Sequence, residues 1–357
     1  MKRKLYSRAL FFASVLILLA CALISCHSEK TPQTNKEKFS SYSMDYFDTV
    51  TTIVGYEESE AEFKAIADEM IEMLGEYHRL YTIYHRFDGL ENLCTVNELK
   101  DGAHRTVKVD QRIIDLLLYA KEMYALTDAR VNVAMGSVLS LWHSYRSVGM
   151  SDPAHASLPP IDKLQEAALH TDIEKMVIDE ANSTVTLTDP QMKLDVGAIA
   201  KGYAAERIAR AFEERGVTGY ILNVGGNVRS IGTKPDGTKW TAGIEDPQGG
   251  EDYLAYLALD GQSVVTSGSY QRFYYVDGKR YHHIIDPDTL MPSEGFLSVS
   301  IVCQDSGLGD ALSTALFCLS KEEGLALIES IPDAEAMWVT ESGERSYSSG
   351  FRNYVKK

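Results

Sequence analysis

Asp195-Val196-Gly197-Ala198-Ile199-Ala200-Lys201-Gly202-Tyr203 sets a carboxylate, two glycines and a lysine where a strand gives way to a helix. Backbone amides and the dipole at a helix start attract phosphate, and glycine lets a ligand approach the main chain. Ordinary turn chemistry produces the same pattern, and Asn223-Val224-Gly225-Gly226-Asn227 is open to both readings. Asp310-Ala311-Leu312-Ser313-Thr314 puts a carboxylate and a hydroxyl four residues apart, on one helical face. Such hard oxygen donors suit Mg²⁺, which keeps places for water and substrate phosphate; the competing account has Asp310 capping its helix while Thr314 packs. Tyr281-His282-His283-Ile284-Ile285-Asp286-Pro287 ends a strand in a turn with two imidazoles, and Thr266-Ser267-Gly268 offers hydroxyls on a flexible backbone.

Apolar spacing outlines the elements that hold these residues. Tyr46 to Tyr56 is rich in β-branched and aromatic residues and predicts a strand. Ser59 and Glu62 form a capping-box pattern, and Phe63, Ile66, Ala67, Met70, Leu74 and Tyr77 share one helical face. A second helix is expected from Asp110 to about Leu126, then strands at Val185 to Leu187 and Leu194-Asp195, then a helix over Ala198 to Arg215 closed by Gly216. Strands follow at Tyr220 to Val224, Ser263 to Thr266, Arg272 to Val276, Tyr281 to Ile285 and Leu297 to Val302. Helices over Gly309 to Leu319 and Lys321 to Ser330 precede a last strand at Ala336 to Thr340. Strands and helices mix without strict alternation, which argues for an α+β fold.

The first eight residues carry Lys2, Arg3, Lys4 and Arg8, and an apolar run extends from Ala9 to Ile24, the layout of an export signal. That run gives roughly 24 Å of helix, short of a comfortable membrane span. Leu23-Ile24-Ser25-Cys26 resembles the lipobox of bacterial lipoproteins. The resemblance implies cleavage of residues 1–25 and a lipid anchor on Cys26, facing the extracytoplasmic side of a cell membrane; a plain secretory signal is the alternative. Residues 26–42 read as a solvated linker, polar with almost nothing to bury from His27 to Ser41, a stretch that reaches at most about 50 Å. A folded domain over 43–345 and a C-terminal tail over 346–357 complete the expected organisation. A net charge of −16, with bases scattered along the chain, argues against nucleic acid as a partner. Cys94, Cys303 and Cys318 are too few and too scattered for a disulfide framework.

In order, LDVGAIAKGYAAERIA, ILNVGGNVRSIG with GTKW and GIEDP, VVTSGSYQRFYYVDGKRYHHIIDP and DALSTALF resemble the ApbE-type FAD:protein FMN transferases, from about Asp48-Thr49 to about residue 340. The resemblance implies a T-fold-like mixed sheet and helix domain. It also implies an enzyme that binds FAD with Mg²⁺ and moves the FMN half onto a Thr or Ser hydroxyl of an acceptor flavoprotein, releasing AMP. On the family pattern Asp310, Thr314 and the main-chain oxygens of Ser313 and Ala198 hold the metal. Asp195, Lys201 and Ile285 match FAD contacts, and His283 matches the proposed catalytic base. Phe47 takes the place of a methionine that packs on FAD, Tyr84 matches a tyrosine that stacks on it, and Arg130-Val131-Asn132 aligns with another FAD-contacting stretch. Asn132, Ser269 and Leu290 depart from the usual acid, Asp and Gly at their positions.

Two other functions use the same residues. Water in place of the acceptor hydroxyl would make an FAD pyrophosphatase yielding FMN and AMP, and a flavin-binding lipoprotein without catalysis would leave FAD intact. The acceptors implied by the family are membrane redox subunits or secreted flavin reductases.

Overall fold

The computed structural model describes residues 35–98, 105–250 and 252–356. The expected export signal, Cys26 and most of the expected linker lie outside the described residues. In chain order the elements are β1 (Glu37–Ser43), β2 (Thr51–Glu57), α1 (Glu60–Tyr81), α2 (Leu93–Asn97), β3 (Arg105–Lys108), α3 (Gln111–Leu126), α4 (Gly136–Ser151), α5 (Ile161–Ala168), β4 (Met176–Asp179), β5 (Thr184–Leu187), α6 (Ala200–Glu214) and β6 (Tyr220–Val224). They continue with β7 (Asn227–Ile231), β8 (Trp240–Glu245), β9 (Tyr253–Leu259), β10 (Ser263–Gly268), β11 (Phe273–Val276), β12 (Lys279–His282), β13 (Phe296–Cys303), α7 (Ser306–Cys318), α8 (Lys321–Glu329), β14 (Glu335–Thr340) and β15 (Arg345–Tyr347).

Eight strands form one sheet in the order β1-β2-β6-β7-β10-β13-β14-β15, antiparallel throughout. The alternation of side chains across a strand sends Ile53, Leu222, Val299 and Ile301 to one face, where Leu74, Ile208, Phe212, Leu312 and Leu316 from α1, α6 and α7 cover them. Val264, Val302 and Val339 point the other way, under Trp240, Ile244 and Leu257 of the β8–β9 hairpin. β13 is covered on both sides and is buried along its whole length. A smaller cluster sets Val138 and Trp142 of α4 against Tyr274, Ile285 and Leu290, so α4 supports the β11–β12 hairpin that leads to His283.

The α+β architecture matches the expectation, with several corrections to its parts. Glu37–Ser43, read as linker, pairs with β2 as an edge strand, because Phe39 stacks on Phe63 of α1 at 5.7 Å and anchors a polar segment. The tail beyond residue 345 belongs to the fold: Phe351 is fully buried against the β8–β9 side of the sheet. Leu194-Asp195 is irregular, with only a bridge between Lys193 and Met135 beside it. α7 starts earlier than expected, capped by Asp305, whose carboxylate accepts the Gly307 and Leu308 amides. α4 went unread because its first residue has no side-chain cap and its apolar positions follow no clean stripe. Cys94, Cys303 and Cys318 are buried free thiols.

Candidate functional site

α6 and α7 touch at Gly202. A Cβ there would overlap the Ser306 carbonyl and lie 2.5 Å from Asp310 Cβ, so only glycine lets the two helix starts meet. The cap residue of α6, Ile199, offers no side-chain hydrogen bond. Asp310, one turn inside α7, supplies it: its Oδ2 accepts the Gly202 amide at 2.8 Å. In a regular turn that amide would go to the carbonyl four residues back, at Ala198. Asp310 therefore caps its neighbour's helix, which leaves the Ala198 oxygen without that amide.

Asp310 is 4 % exposed and forms no ion pair within 4 Å among the described residues. Burial raises its pKa, opposed by Lys201, the Gly202 amide and Asn227. Asn227, buried just after the Gly225-Gly226 turn, keeps its Oδ1 without a partner. Thr314 is half-buried one turn on from Asp310. Ser313 is fully buried, its hydroxyl shared between the Asp310 carbonyl at 3.0 Å and Ser267 Oγ at 2.8 Å. Thr314 stands one turn after Asp310 on the same helix and Ala198 one turn before Gly202, both offering hard oxygens, and among the described residues the Asp310 carboxylate has no cation within 4 Å. That donor set fits a small divalent ion. Among the described residues no three His, Cys, Asp or Glu side chains converge on one point, so a metal here would rest on one carboxylate with hydroxyl, main-chain and water oxygens.

His283 follows β12, its Nδ1 enclosed without a hydrogen-bond partner. Its pKa is lowered to about 3, by burial first and then by Arg272, Arg146, His282 and Lys201. The imidazole is neutral at pH 7, and three cations stand around it. Arg146, on α4, is itself held below its usual pKa by burial and by Arg272. Among the described residues Arg272 donates only to the Asp48 carbonyl, at 3.3 Å. In a chain with 51 acidic and 35 basic residues, three cations with no carboxylate within 4 Å among the described residues suit the approach of an anion.

Tyr84 flanks the same space, 57 % exposed, with its hydroxyl 3.2 Å from His143 Nδ1. Its pKa is pushed up to about 12, by burial and then by Asp195. Asp195 accepts the Gly197 amide at 2.9 Å and lies 3.8 Å from His143 Nε2. Phe47 and Asp48 both adopt positive φ, 57° and 51°, in a turn whose Phe47 amide donates to His78 Nδ1 at 3.2 Å. Electrostatic coupling of Tyr84 to Asp48, Asp195, Arg146 and Arg272 ties this wall to the His283 cluster.

The remaining expected contacts sit differently. Arg130 pairs with Asp286 at 3.4 Å and Asp288 at 2.5 Å, bracing the turn after His283. Val131 is 1 % exposed in the core, and Asn132 spends its amide on the Thr171 carbonyl and the Ala134 amide. Ile285 packs with Trp142 and Leu290. Leu290, where the family resemblance implies a glycine, adopts φ 60°, a backbone conformation that glycine takes more readily than leucine. A cavity of about 840 Å³ lies behind the hairpin, lined by Ser269, Arg280, His282, Ser293 and Cys318 rather than by the junction residues. Arg146, Arg272 and His143 were not singled out from the sequence. One faint signal was available: His143 and Arg146 lie one helical turn apart just after Trp142.

The model of the ApbE family matches residues 47–338. An FAD:protein FMN transferase of Klebsiella pneumoniae is 33% identical over 288 residues, covering 80% of this chain and 85% of that one. One from Treponema pallidum is 33% identical over 265 residues, covering 70% and 71%. The crystal structure of the ApbE protein from Thermotoga maritima superimposes with a TM-score of 0.77 at 28% identity, over 90% of this chain and all of that one. The flavin transferase ApbE of Vibrio cholerae shares the fold, with a TM-score of 0.73 at 23% identity over 89% of this chain and 99% of that one.

Proposed function

The chain belongs to the ApbE family, and from that premise we propose that it moves FMN from FAD onto a Thr or Ser hydroxyl of an acceptor flavoprotein, with Mg²⁺, releasing AMP. The transfer of FMN from FAD to a protein is the activity of the enzyme class named for its relatives. One observation carries the finer reading: Asp310, a buried carboxylate with no cation within 4 Å among the described residues, caps the helix that begins beside Ala198 and Lys201.

Asp310, Thr314 and the carbonyls of Ala198 and Ser313 would hold the metal; the Ser313 oxygen would share it with the helix ladder, using its second lone pair. When bound, Mg²⁺ neutralises charge on the phosphate oxygens and keeps the groups in line. Lys201, Arg146 and Arg272 face the pyrophosphate and hold it through charge-assisted hydrogen bonds. His283 accepts the proton of the attacking hydroxyl at Nε2, the ring nitrogen left to face a reactant. The new bond joins the hydroxyl oxygen to the FMN phosphorus, and the bond to AMP breaks. The bound pyrophosphate offsets the three cations that depress the His283 pKa, so the base gains strength when substrate is in place. Tyr84 and Phe47 offer aromatic surface to the isoalloxazine, with Asp195, Ile285 and the Arg130-Val131-Asn132 segment shaping the walls.

The proposed location is a membrane surface on the extracytoplasmic side, through a lipid on Cys26, beside acceptors such as membrane redox subunits. Incubation with FAD, Mg²⁺ and an acceptor bearing the target hydroxyl should give an FMN-sized mass increase on the acceptor and free AMP. Free FMN without labelled acceptor would point to the hydrolase, and intact FAD to a binding protein.

A further inference from the structure

His143 joins two parts of the site that are distant in sequence. Its Nδ1 lies 3.2 Å from the Tyr84 hydroxyl, and its Nε2 lies 3.8 Å from Asp195 Oδ2. The first is a hydrogen bond; the second is an electrostatic contact beyond hydrogen-bond length. Asp195 turns its other oxygen to the Gly197 amide, immediately before Ala198. The helix that carries His143 is anchored beside it, because the adjacent Trp142 is buried and donates its indole N–H to the Leu290 carbonyl at 2.9 Å.

Tyr84 needs such a tether. It lies between α1 and α2 with a largely exposed side chain, and its ring meets one aromatic neighbour, His143, at 6.0 Å. A loose aromatic face loses side-chain entropy on stacking, whereas a held one has already lost it. Resting on the reading of this cleft as a flavin site, we propose that His143 is a positioning residue that ties the Tyr84 hydroxyl to Asp195, holding the ring as a stacking face and coupling it to the loop that opens α6.

The chemistry fits one protonation pattern. With its proton on Nε2, the neutral ring accepts the Tyr84 O–H at Nδ1 and turns N–H toward the Asp195 carboxylate. Burial holds the His143 pKa below its usual value against the pull of Asp195, which keeps the accepting nitrogen free.

The test is FAD affinity of the full chain, read by quenching of flavin fluorescence in EDTA so that no turnover occurs, with ADP displacement as a control lacking the isoalloxazine. His143→Ala and Tyr84→Phe should each weaken FAD binding by about five- to tenfold, the loss of one hydrogen bond, and the double variant should be no weaker than either single one. ADP affinity should stay unchanged. His143→Asn, whose amide oxygen can stand where Nδ1 stood, should restore most of the affinity, while His143→Gln should not. Full additivity of the two substitutions, wild-type affinity in His143→Ala, or equal losses for ADP would overturn the proposal. A wild-type chain that binds no FAD at all would instead overturn the flavin reading on which it rests.

Discussion

Gly202→Ala tests the helix junction with a single methyl group. Alanine should strengthen α6 locally by about 1 kcal/mol relative to glycine. Against that, the new Cβ overlaps the Ser306 carbonyl and lies 2.5 Å from Asp310 Cβ, contacts that require α6 and α7 to part. Overpacking of this kind costs about 1–3 kcal/mol. Parting the helices also stretches the 2.8 Å bond from the Gly202 amide to Asp310, and a bond to a charged group contributes about 1.5–3 kcal/mol. The net expectation is a loss of roughly 2–4 kcal/mol, set by these opposing effects, which for a domain of this size lowers Tm by roughly 4–8 °C. Because the displaced groups are Asp310 and the turn holding Ala198, affinity for Mg²⁺ should fall with stability. Thermal unfolding and a calorimetric Mg²⁺ titration of wild type and variant measure both. A variant as stable as wild type with the same Mg²⁺ affinity would refute the account of the junction.

Phe351→Ala should cost about 3–5 kcal/mol, as expected for a fully buried phenylalanine; a change below 1 kcal/mol in denaturant unfolding would restore the tail to the solvent. His283 has a folded pKa of about 3 against an ordinary 6.5, so between those values the unfolded chain takes up a proton that the folded chain refuses. Its contribution to stability is complete above pH 6.5 and is lost as pH falls toward 3. His283→Asn should therefore lose less Tm than wild type between pH 7 and pH 5, and equal losses would contradict the burial of that ring. Arg146→Gln should raise the KM for FAD by roughly tenfold, the weight of one charge-assisted contact, and flatten its salt dependence; an unchanged KM would remove Arg146 from the anion site.

The readable parts of this fold are those whose physics is local. The stripe from Phe63 to Tyr77 has helical spacing, and its cap forms at Ser59, although only half of the expected box is present: Ser59 accepts the Glu62 amide. The edge strand Glu37–Ser43 was hidden because its stabilisation comes from pairing with β2 and from one stacked phenylalanine, neither visible in a polar composition. Asp310 and Thr314 were legible as a pair on one helical face. That Asp310 caps α6 rather than its own helix was not, because the bond to Gly202 spans 108 residues. Arg272 shares no motif with His143 and Arg146, which lie one turn apart on α4; the packing of α4 against the β11–β12 hairpin brings it near them. Leu290 shows the reverse case: glycine there is implied only by the family resemblance, and the left-handed backbone supplies the physical reason for it.

The central claim is FMN transfer at the Asp310 junction with Mg²⁺, and acceptor labelling by wild type and Asp310→Ala across a Mg²⁺ titration tests it most directly. The account predicts a covalently fluorescent acceptor and released AMP with wild type only when Mg²⁺ is present, and neither with a folded Asp310→Ala chain at any Mg²⁺ concentration. Labelling by Asp310→Ala at the wild-type rate with the same Mg²⁺ dependence would contradict it.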